Sequence, residues 1–589
     1  MSVVRTLRTK TVKGGEIVTR LLAAEGVDRV FGIIDGTYFG LYSTFGDHGL
    51  KLITPRHEAS AVHMAGAHAR LTGTLGVCLA SNGPGVANAL PGVAVENAEG
   101  NRVLLITSSR RKAIVEPDRG GTFQCFDQTG VIGAMSKLSV HVPSFDRIAE
   151  ITRKALRACF TGRPGVVHLD IPEDLMNSSQ PEDPRWFVAP GQYRVAGTFP
   201  PRPSDVAAAA DLLLTAERPL IHAGSGVLHA GATAELMEVA QLLRAPVTTS
   251  WAARAAMDER HELAVPMVYL DAVNTARNEA DAVLVLGSRL GETDWWGKPP
   301  YWAPASQQKM VQVDLEPEIL GNIRPVDVAI LADAKEFLVA LAEALRVRRR
   351  PAQRSGWIRS LNKAVAKRRK GLDKHLEKQS IPMHPAHVPV AAQEVFGDDA
   401  IVCVDGGNTA VWTNFFTEIR TPNTLLTTPK MGMLGAGCAQ PLAAKAAFPE
   451  RNVYCVIGDG AMGFHPQEIE TAVRNGLNVV WIVLCDTQWG MVKMNQQFAL
   501  KPIKTLVKKS LSADETINAD LGEIQFDALA RSMGAHGERV ADPAGIRSAL
   551  RRALASGRPA VVHVDVDPVA HMWAPNLKDF KDMHAEPAG

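Results

Sequence analysis

Short apolar runs alternate with longer stretches in which apolar residues recur every three or four positions, from about residue 12 to residue 180. The runs at 29–34, 75–80, 102–107 and 166–172 predict strands, and 58–70 predicts a helix. Near-continuous apolar strands separated by helices mean parallel strands covered on both faces. The pattern pauses in a Pro- and polar-rich stretch, 178–203, read as a linker. It resumes with predicted strands at 219–223, 246–249, 282–286 and 309–313, then, after a basic segment, at 400–404, 453–457, 479–484 and 560–566. The expected fold class is α/β, with three doubly wound parallel-sheet domains at 1–180, 204–345 and 380–589 and a basic linker at 346–379. The first and third blocks look like one architecture used twice, without a residue-level repeat.

Length agrees, since 589 residues exceed what one core supports. With 46% hydrophobic and 21% charged residues the composition is that of a globular enzyme. A net charge of +2 gives no bias toward nucleic acid or a membrane surface, and neither is expected as a partner. The one strong charge run, 346–378, holds Arg348-Arg349-Arg350 and Lys367-Arg368-Arg369-Lys370 and reads as a solvated helix rather than an anion-binding surface. The seven cysteines are scattered and lack any CxxC pair, which argues against a disulfide framework or a zinc site. No run reaches the roughly 18 apolar residues of a membrane span, and the N-terminal stretch lacks an apolar signal core. A cytoplasmic location is expected.

Chemistry concentrates at two places. Gly458-Asp459-Gly460 falls at the carboxyl end of a predicted strand, where open α/β sheets bind ligands. Its glycines let the backbone approach a phosphate, and the helix predicted at 467–474 turns its amide-rich end the same way. Asp459 is then a hard oxygen ligand suited to magnesium, which is usually shared with substrate phosphates. A second ligand should come from the end of the adjacent strand, where Asp486 stands twenty-seven positions on. The other place is Arg56-His57-Glu58 ahead of an apolar helical pattern. Glu58 alone would pass for an ordinary charge at a helix N-terminus. Taken with the first motif, it describes a carboxylate poised to activate a heterocycle.

In these motifs, and over nearly all of its length, the chain resembles the thiamine-diphosphate-dependent decarboxylase and carboligase superfamily, most of all acetolactate synthases. The resemblance implies pyrimidine-binding, middle and diphosphate-binding domains in that order, with thiamine diphosphate and Mg2+ as cofactors. It places the metal on Asp459, Asp486 and the main-chain carbonyl of Gln488; the family commonly has asparagine where this chain has Asp486. Asp405-Gly406-Gly407-Asn408-Thr409 resembles the other diphosphate loop. Cofactor contacts carry over to Gly407, Asn408, Thr409, Gly458, Asp459, Gly460, Ala461, Asp486, Gly490 and Met491. Leu434 takes the place of the apolar residue that bends the cofactor, and Met433 that of a carbonyl facing its aminopyrimidine. Glu58 matches the glutamate that hydrogen-bonds the pyrimidine ring. Ser81-Asn82-Gly83-Pro84-Gly85 resembles the family's turn near the cofactor. The family arrangement sets the first block of one subunit against the third of another, so a homodimer or homotetramer with interfacial sites is implied.

Substrate identity is less determined. Gln124 matches a glutamine near the cofactor in acetolactate synthases, and Asp35 stands in a substrate loop where those enzymes carry small residues. A carboxylate there would repel a 2-oxo acid anion unless neutralised by burial or by a cation such as Lys493; it could also move a proton. Glu58, Gln124 and Asp35 are the expected catalytic residues. Gly224-Ser225-Gly226, Gly287-Ser288-Arg289 and Asp314 match positions that bind FAD in acetolactate synthases. The segment 290–302, with Trp295, Trp296, Tyr301 and Trp302, instead resembles 2-hydroxyacyl-CoA lyases and oxalyl-CoA decarboxylases, which use ADP there. FAD, ADP or no nucleotide all stay open. The first expectation is carboligation of 2-oxo acids, the second an acyl-CoA lyase or decarboxylase, the third a non-catalytic paralogue.

Overall fold

The computed structural model describes residues 10–117, 119–195, 198–348 and 354–577. The chain divides into two compact units, residues 1–197 and 198–589.

The first unit is built on a six-stranded sheet. Its strands are Arg29–Gly32, Lys51–Ile53, Gly76–Ala80, Val103–Ser109, Leu138–His141 and Val166–Pro172. Every pairing is parallel, and numbered along the chain the spatial order is 2-1-3-4-6-5. The four strongly apolar strands appear where the sequence puts them, within two residues. Lys51–Ile53 and Leu138–His141 escaped the pattern because they lie at the sheet edges and are only partly covered. The segment expected as a free linker is partly ordered against this unit. Ser179–Pro181 pairs antiparallel with Thr11–Lys13, and Arg194 forms an ion pair with Glu25 at 2.7 Å.

The second unit holds two sheets. The middle one runs through Pro219–Ala223, Val247–Thr249, Ala282–Leu286, Lys309–Asp314 and Val328–Leu331 in the order 2-1-3-4-5, all parallel. The last one runs through Ile401–Asp405, Leu425–Leu426, Val453–Gly458, Val480–Cys485, His536–Val540 and Ala560–Asp565. Its order, 2-1-3-4-6-5, is that of the first sheet, so one architecture is used twice. Its first and third strands lie side by side while their connections leave in opposite directions. This switch point opens a crevice at their carboxyl ends.

Between the two sheets, the helix Ser355–Asp373 buries Trp357, Ile358, Leu361 and Leu372 and leaves its basic face outward. Arg349 and Arg350 of the charge run lie outside the described residues. Arg254, fully buried, bonds both oxygens of Glu259 at 2.8 and 3.0 Å and the carbonyls of Asn414 and Thr417 at 2.6 and 2.5 Å. It thereby ties the middle sheet to the helix Gly407–Phe416, whose first turn opens the switch-point crevice. Among the described residues no helix is long and apolar enough to cross a membrane.

Removing one partner of a buried ion pair leaves an uncompensated charge, at a cost of about 3–5 kcal/mol. Arg254→Ala should therefore lower the thermal midpoint clearly in calorimetry. Substitution of the half-exposed Arg244, paired with Glu262 at the surface, should barely move it.

Candidate functional site

The last sheet delivers its chemistry at the switch point. Asp405 ends one strand and Gly458 the next, and each strand runs straight into a helix. Gly406 takes φ +101°, and a side chain there would sit 3.2 Å from the Gly458 nitrogen, so only glycine lets the strand ends come together. Asp405 is buried. Its Oδ1 accepts from the Gly406 amide at 2.6 Å, and its Oδ2 from the Gly435 and Gly437 amides at 2.9 and 2.8 Å. It therefore welds the 405–409 loop to the turn that carries Met433 and Leu434.

Asp459 opens the turn after Gly458. Its Oδ1 accepts from the Gly460 amide at 2.7 Å and its Oδ2 from the Thr487 amide at 2.8 Å. Asp486, at the end of the neighbouring strand, is buried where Asp459 is half-buried, with Oδ2 accepting from His571 Nδ1 at 2.7 Å and from Gln488 Nε2 at 3.0 Å. Burial, and after it the charge of Asp486, pushes the Asp459 carboxyl up to about 6. Two acids held this way call for a cation between them. Both line a cavity of about 500 Å³ together with Gly460, Trp489, Arg539 and His563.

The surrounding backbone fits a diphosphate held through that cation. Asn408 is 4% exposed, yet neither its amide nitrogen nor its oxygen has a protein partner. Buried polar atoms rarely go unpaired, so this side chain is built to meet something else. A Cβ on Gly490 would lie 2.7 Å from the same nitrogen, and one on Gly460 would lie 2.6 Å from the Trp489 ring. Gly407 faces Met491, and Gly458 faces the Thr409 hydroxyl. The structure thus brings together Gly407, Asn408, Thr409, Gly458, Asp459, Gly460, Ala461, Asp486, Gln488, Gly490 and Met491 at one end of one sheet. Hard carboxylate oxygens and backbone amides suit magnesium and phosphate.

At the far wall of the cavity Glu523, His563 and Asp565 lie within 4.8 Å of one another. Arg539 already joins Glu523 and Asp565 at 2.7 Å each, so this cluster carries its own cation. Lys493, a candidate counter-ion for Asp35, is buried and paired with Asp520 at 2.6 Å.

In the first unit Glu58 opens the helix Glu58–Thr72, whose first turn is capped by the His57 ring accepting from the Ala59 amide at 3.1 Å. The Glu58 carboxylate is buried and accepts from Asn88 at 3.1 Å, and a Cβ on Gly85 would come within 3.2 Å of it. Asp35 is half-buried, with Oδ1 bonded by the Thr37 amide and hydroxyl at 2.8 and 2.6 Å. The Thr37 hydroxyl continues to Ser108 at 2.5 Å. Gln124 is exposed and takes φ +53°, with its carbonyl held by Asn82 at 3.0 Å. Beneath these loops Asp170 accepts from Thr107, Gln128 and His141 at 2.8, 2.5 and 2.6 Å.

The middle sheet spends its glycines differently. The Gly224 and Gly226 amides donate to the carbonyls of Leu286 and Gly287, so in this conformation they are not free for a phosphate. Trp295 and Trp302 are core residues around a buried pair, Arg277 and Asp294, 2.8 Å apart. His222 and the Trp302 indole also close on Asp294.

Sequence reasoning missed His571 and the bonding of Asp405. One signal for His571 was present: Asp567-Pro568 is a helix start directly after a strand end, and Asp567 does cap Pro568–Met572.

Three family models match in order. They are the thiamine pyrophosphate enzyme N-terminal TPP-binding domain over residues 12–131, the central domain over 206–341 and the C-terminal TPP-binding domain over 405–564. Similar proteins include the acetolactate synthase large subunit IlvG of Mycobacterium tuberculosis, 30% identical over 97% of this chain and 99% of that one. The probable acetolactate synthase large subunit of Methanocaldococcus jannaschii is 29% identical, covering 95% and 92%. The acetolactate synthase isozyme 2 large subunit of Escherichia coli is 27% identical, covering 95% and 97%.

Asp459→Ala and Asp486→Ala should each weaken divalent-cation binding by about tenfold or more, measured by calorimetry in the presence of thiamine diphosphate. Wild-type affinity in Asp486→Ala would remove that turn from the metal site.

Proposed function

The chain belongs to the thiamine pyrophosphate enzyme family, and from that membership we propose that it is a magnesium-dependent carboligase of 2-oxo acids, of the acetolactate-synthase type. The observation that carries the reading is the pair of acids at the switch point, Asp486 buried and Asp459 half-buried, beside a buried asparagine whose polar atoms await a partner. Asp459, Asp486 and the Gln488 carbonyl would hold the magnesium. Asn408, Thr409 and the glycine backbones at 407, 458, 460 and 490 would hold the diphosphate. Thiamine diphosphate, when bound, supplies the nucleophilic carbon that adds to a substrate carbonyl. Glu58 would share a proton with the pyrimidine ring nitrogen, its carboxylate kept out of water by burial. Leu434 and Met433 would orient the ring, on a turn that Asp405 fixes.

The three-domain division and assembly as a homodimer or homotetramer, which the family resemblance implies, belong to the same proposal. The acyl-CoA reading is not carried forward. It rested on the segments 290–302 and 123–128, whereas the similar proteins are acetolactate synthase large subunits. The non-catalytic reading is set against the retention of Glu58, Asp459 and Asp486 together.

The direct test is formation of a 2-hydroxy-2-methyl-3-oxo acid from pyruvate with thiamine diphosphate and Mg2+. Inert pyruvate alongside cleavage of a 2-hydroxyacyl-CoA would overturn the proposal. Glu58→Gln should still retain cofactor but lose turnover by about 10²-fold or more, with proton exchange at the reactive carbon slowed in step by NMR. Asp35→Ala should change the choice of acceptor, scored with and without added aldehyde, more than it changes pyruvate decarboxylation. The reason is that the Asp35 carboxylate is bonded by its own loop rather than by a cation.

A further inference from the structure

The two oxygens of Asp486 are not equivalent. Oδ2 receives two hydrogen bonds, from His571 Nδ1 at 2.7 Å and Gln488 Nε2 at 3.0 Å. A carboxylate oxygen offers about two lone-pair positions, so Oδ2 is filled. Among the described residues no hydrogen bond reaches Oδ1, and Asp486 lines the cavity it shares with Asp459. Both donors are themselves fixed. A carboxylate only accepts, so the His571 ring carries its proton on Nδ1. Its Nε2 meets the Thr409 hydroxyl at 3.0 Å, and its carbonyl accepts from the buried Trp412 indole at 2.9 Å. Asp567 caps the short helix that carries His571, accepting from the Val569 and Ala570 amides at 2.9 and 3.0 Å. Gln488 Nε2 also donates to the Pro568 carbonyl at the start of that helix, at 2.8 Å. His571 is 4% exposed.

We propose that His571, together with the Gln488 side chain, is a specificity-determining element for the metal: by filling Oδ2 it makes Asp486 a one-oxygen ligand and biases the site toward magnesium over calcium. Magnesium takes single carboxylate oxygens in a tight octahedron. Calcium takes six to eight oxygens and commonly engages both oxygens of a carboxylate. Only the second mode needs the oxygen that His571 occupies. The same histidine reaches Thr409 of the diphosphate loop, so cation choice and diphosphate placement share one side chain. This inference rests on the metal assignment proposed above.

The test is titration of metal-stripped full-length enzyme with MgCl2 and separately with CaCl2, thiamine diphosphate present, followed by calorimetry and tryptophan fluorescence. The readout is the ratio of the two affinities, because general loosening of the site would lower both together. His571→Ala and Gln488→Met should each cut the preference for magnesium by about tenfold. His571→Gln, which can still donate to Oδ2, should keep most of it. Should His571→Ala fail to fold by circular dichroism, Gln488→Met decides the matter alone. An unchanged ratio in the folded variants overturns the proposal. If the wild-type enzyme binds neither cation with thiamine diphosphate present, the metal assignment falls and takes this inference with it.

Discussion

Two carboxylates that repel each other sit at the centre of the second unit. Asp486 is buried and Asp459 half-buried, and desolvation together with the charge of Asp486 pushes the Asp459 carboxyl up to about 6. A fold tolerates such a pair only if something offsets it. Here two backbone amides, one glutamine and one histidine do part of the work. A divalent ion would do the rest. The requirement explains the surrounding sequence: glycines where a side chain would intrude, and a histidine brought in from the next strand's end. The terminal helix of the described chain is capped so firmly because it holds that histidine in place.

How much of this was legible depended on range. Core strands were legible because apolar runs such as 282–286 and 453–457 are buried on both faces. Edge strands were not: His536–Val540 is only half covered and carries Glu538 and Arg539, while Leu425–Leu426 is too short to show a period. Asp459 and Asp486 were legible because a strand end and a glycine turn mark them locally. The bond from His571 to Asp486 spans 85 positions and exists only because the sheet places their strands side by side. The ion pair of Lys493 with Asp520, 27 positions on, is likewise a contact that no local pattern marks.

The first and last sheets share a strand order and differ in what their switch points carry. The last sheet puts acids and the unpartnered Asn408 side chain there. The first puts a glycine–proline turn and a loop whose only carboxylate, Asp35, is satisfied by its own threonine. Among its buried acids, Asp170 bonds Thr107, Gln128 and His141. One topology thus serves two tasks, holding charge in one copy and shaping a surface in the other. The difference lies in the few residues after each strand.

The strand at 179–181 pairs with residues 11–13, so the first described strand of this unit and the strand that follows its sheet lie side by side. Chain ends that leave side by side are the property that lets a module be excised, inserted or permuted without threading. The natural cut is then after Arg194, whose bond to Glu25 closes the unit, rather than at the Pro- and polar-rich boundary near 178 that composition alone suggests. Cutting at the earlier point would strip away the partner strand and expose the edge at Thr11–Lys13. The piece so made would have an unpaired ladder of backbone groups open to a second molecule.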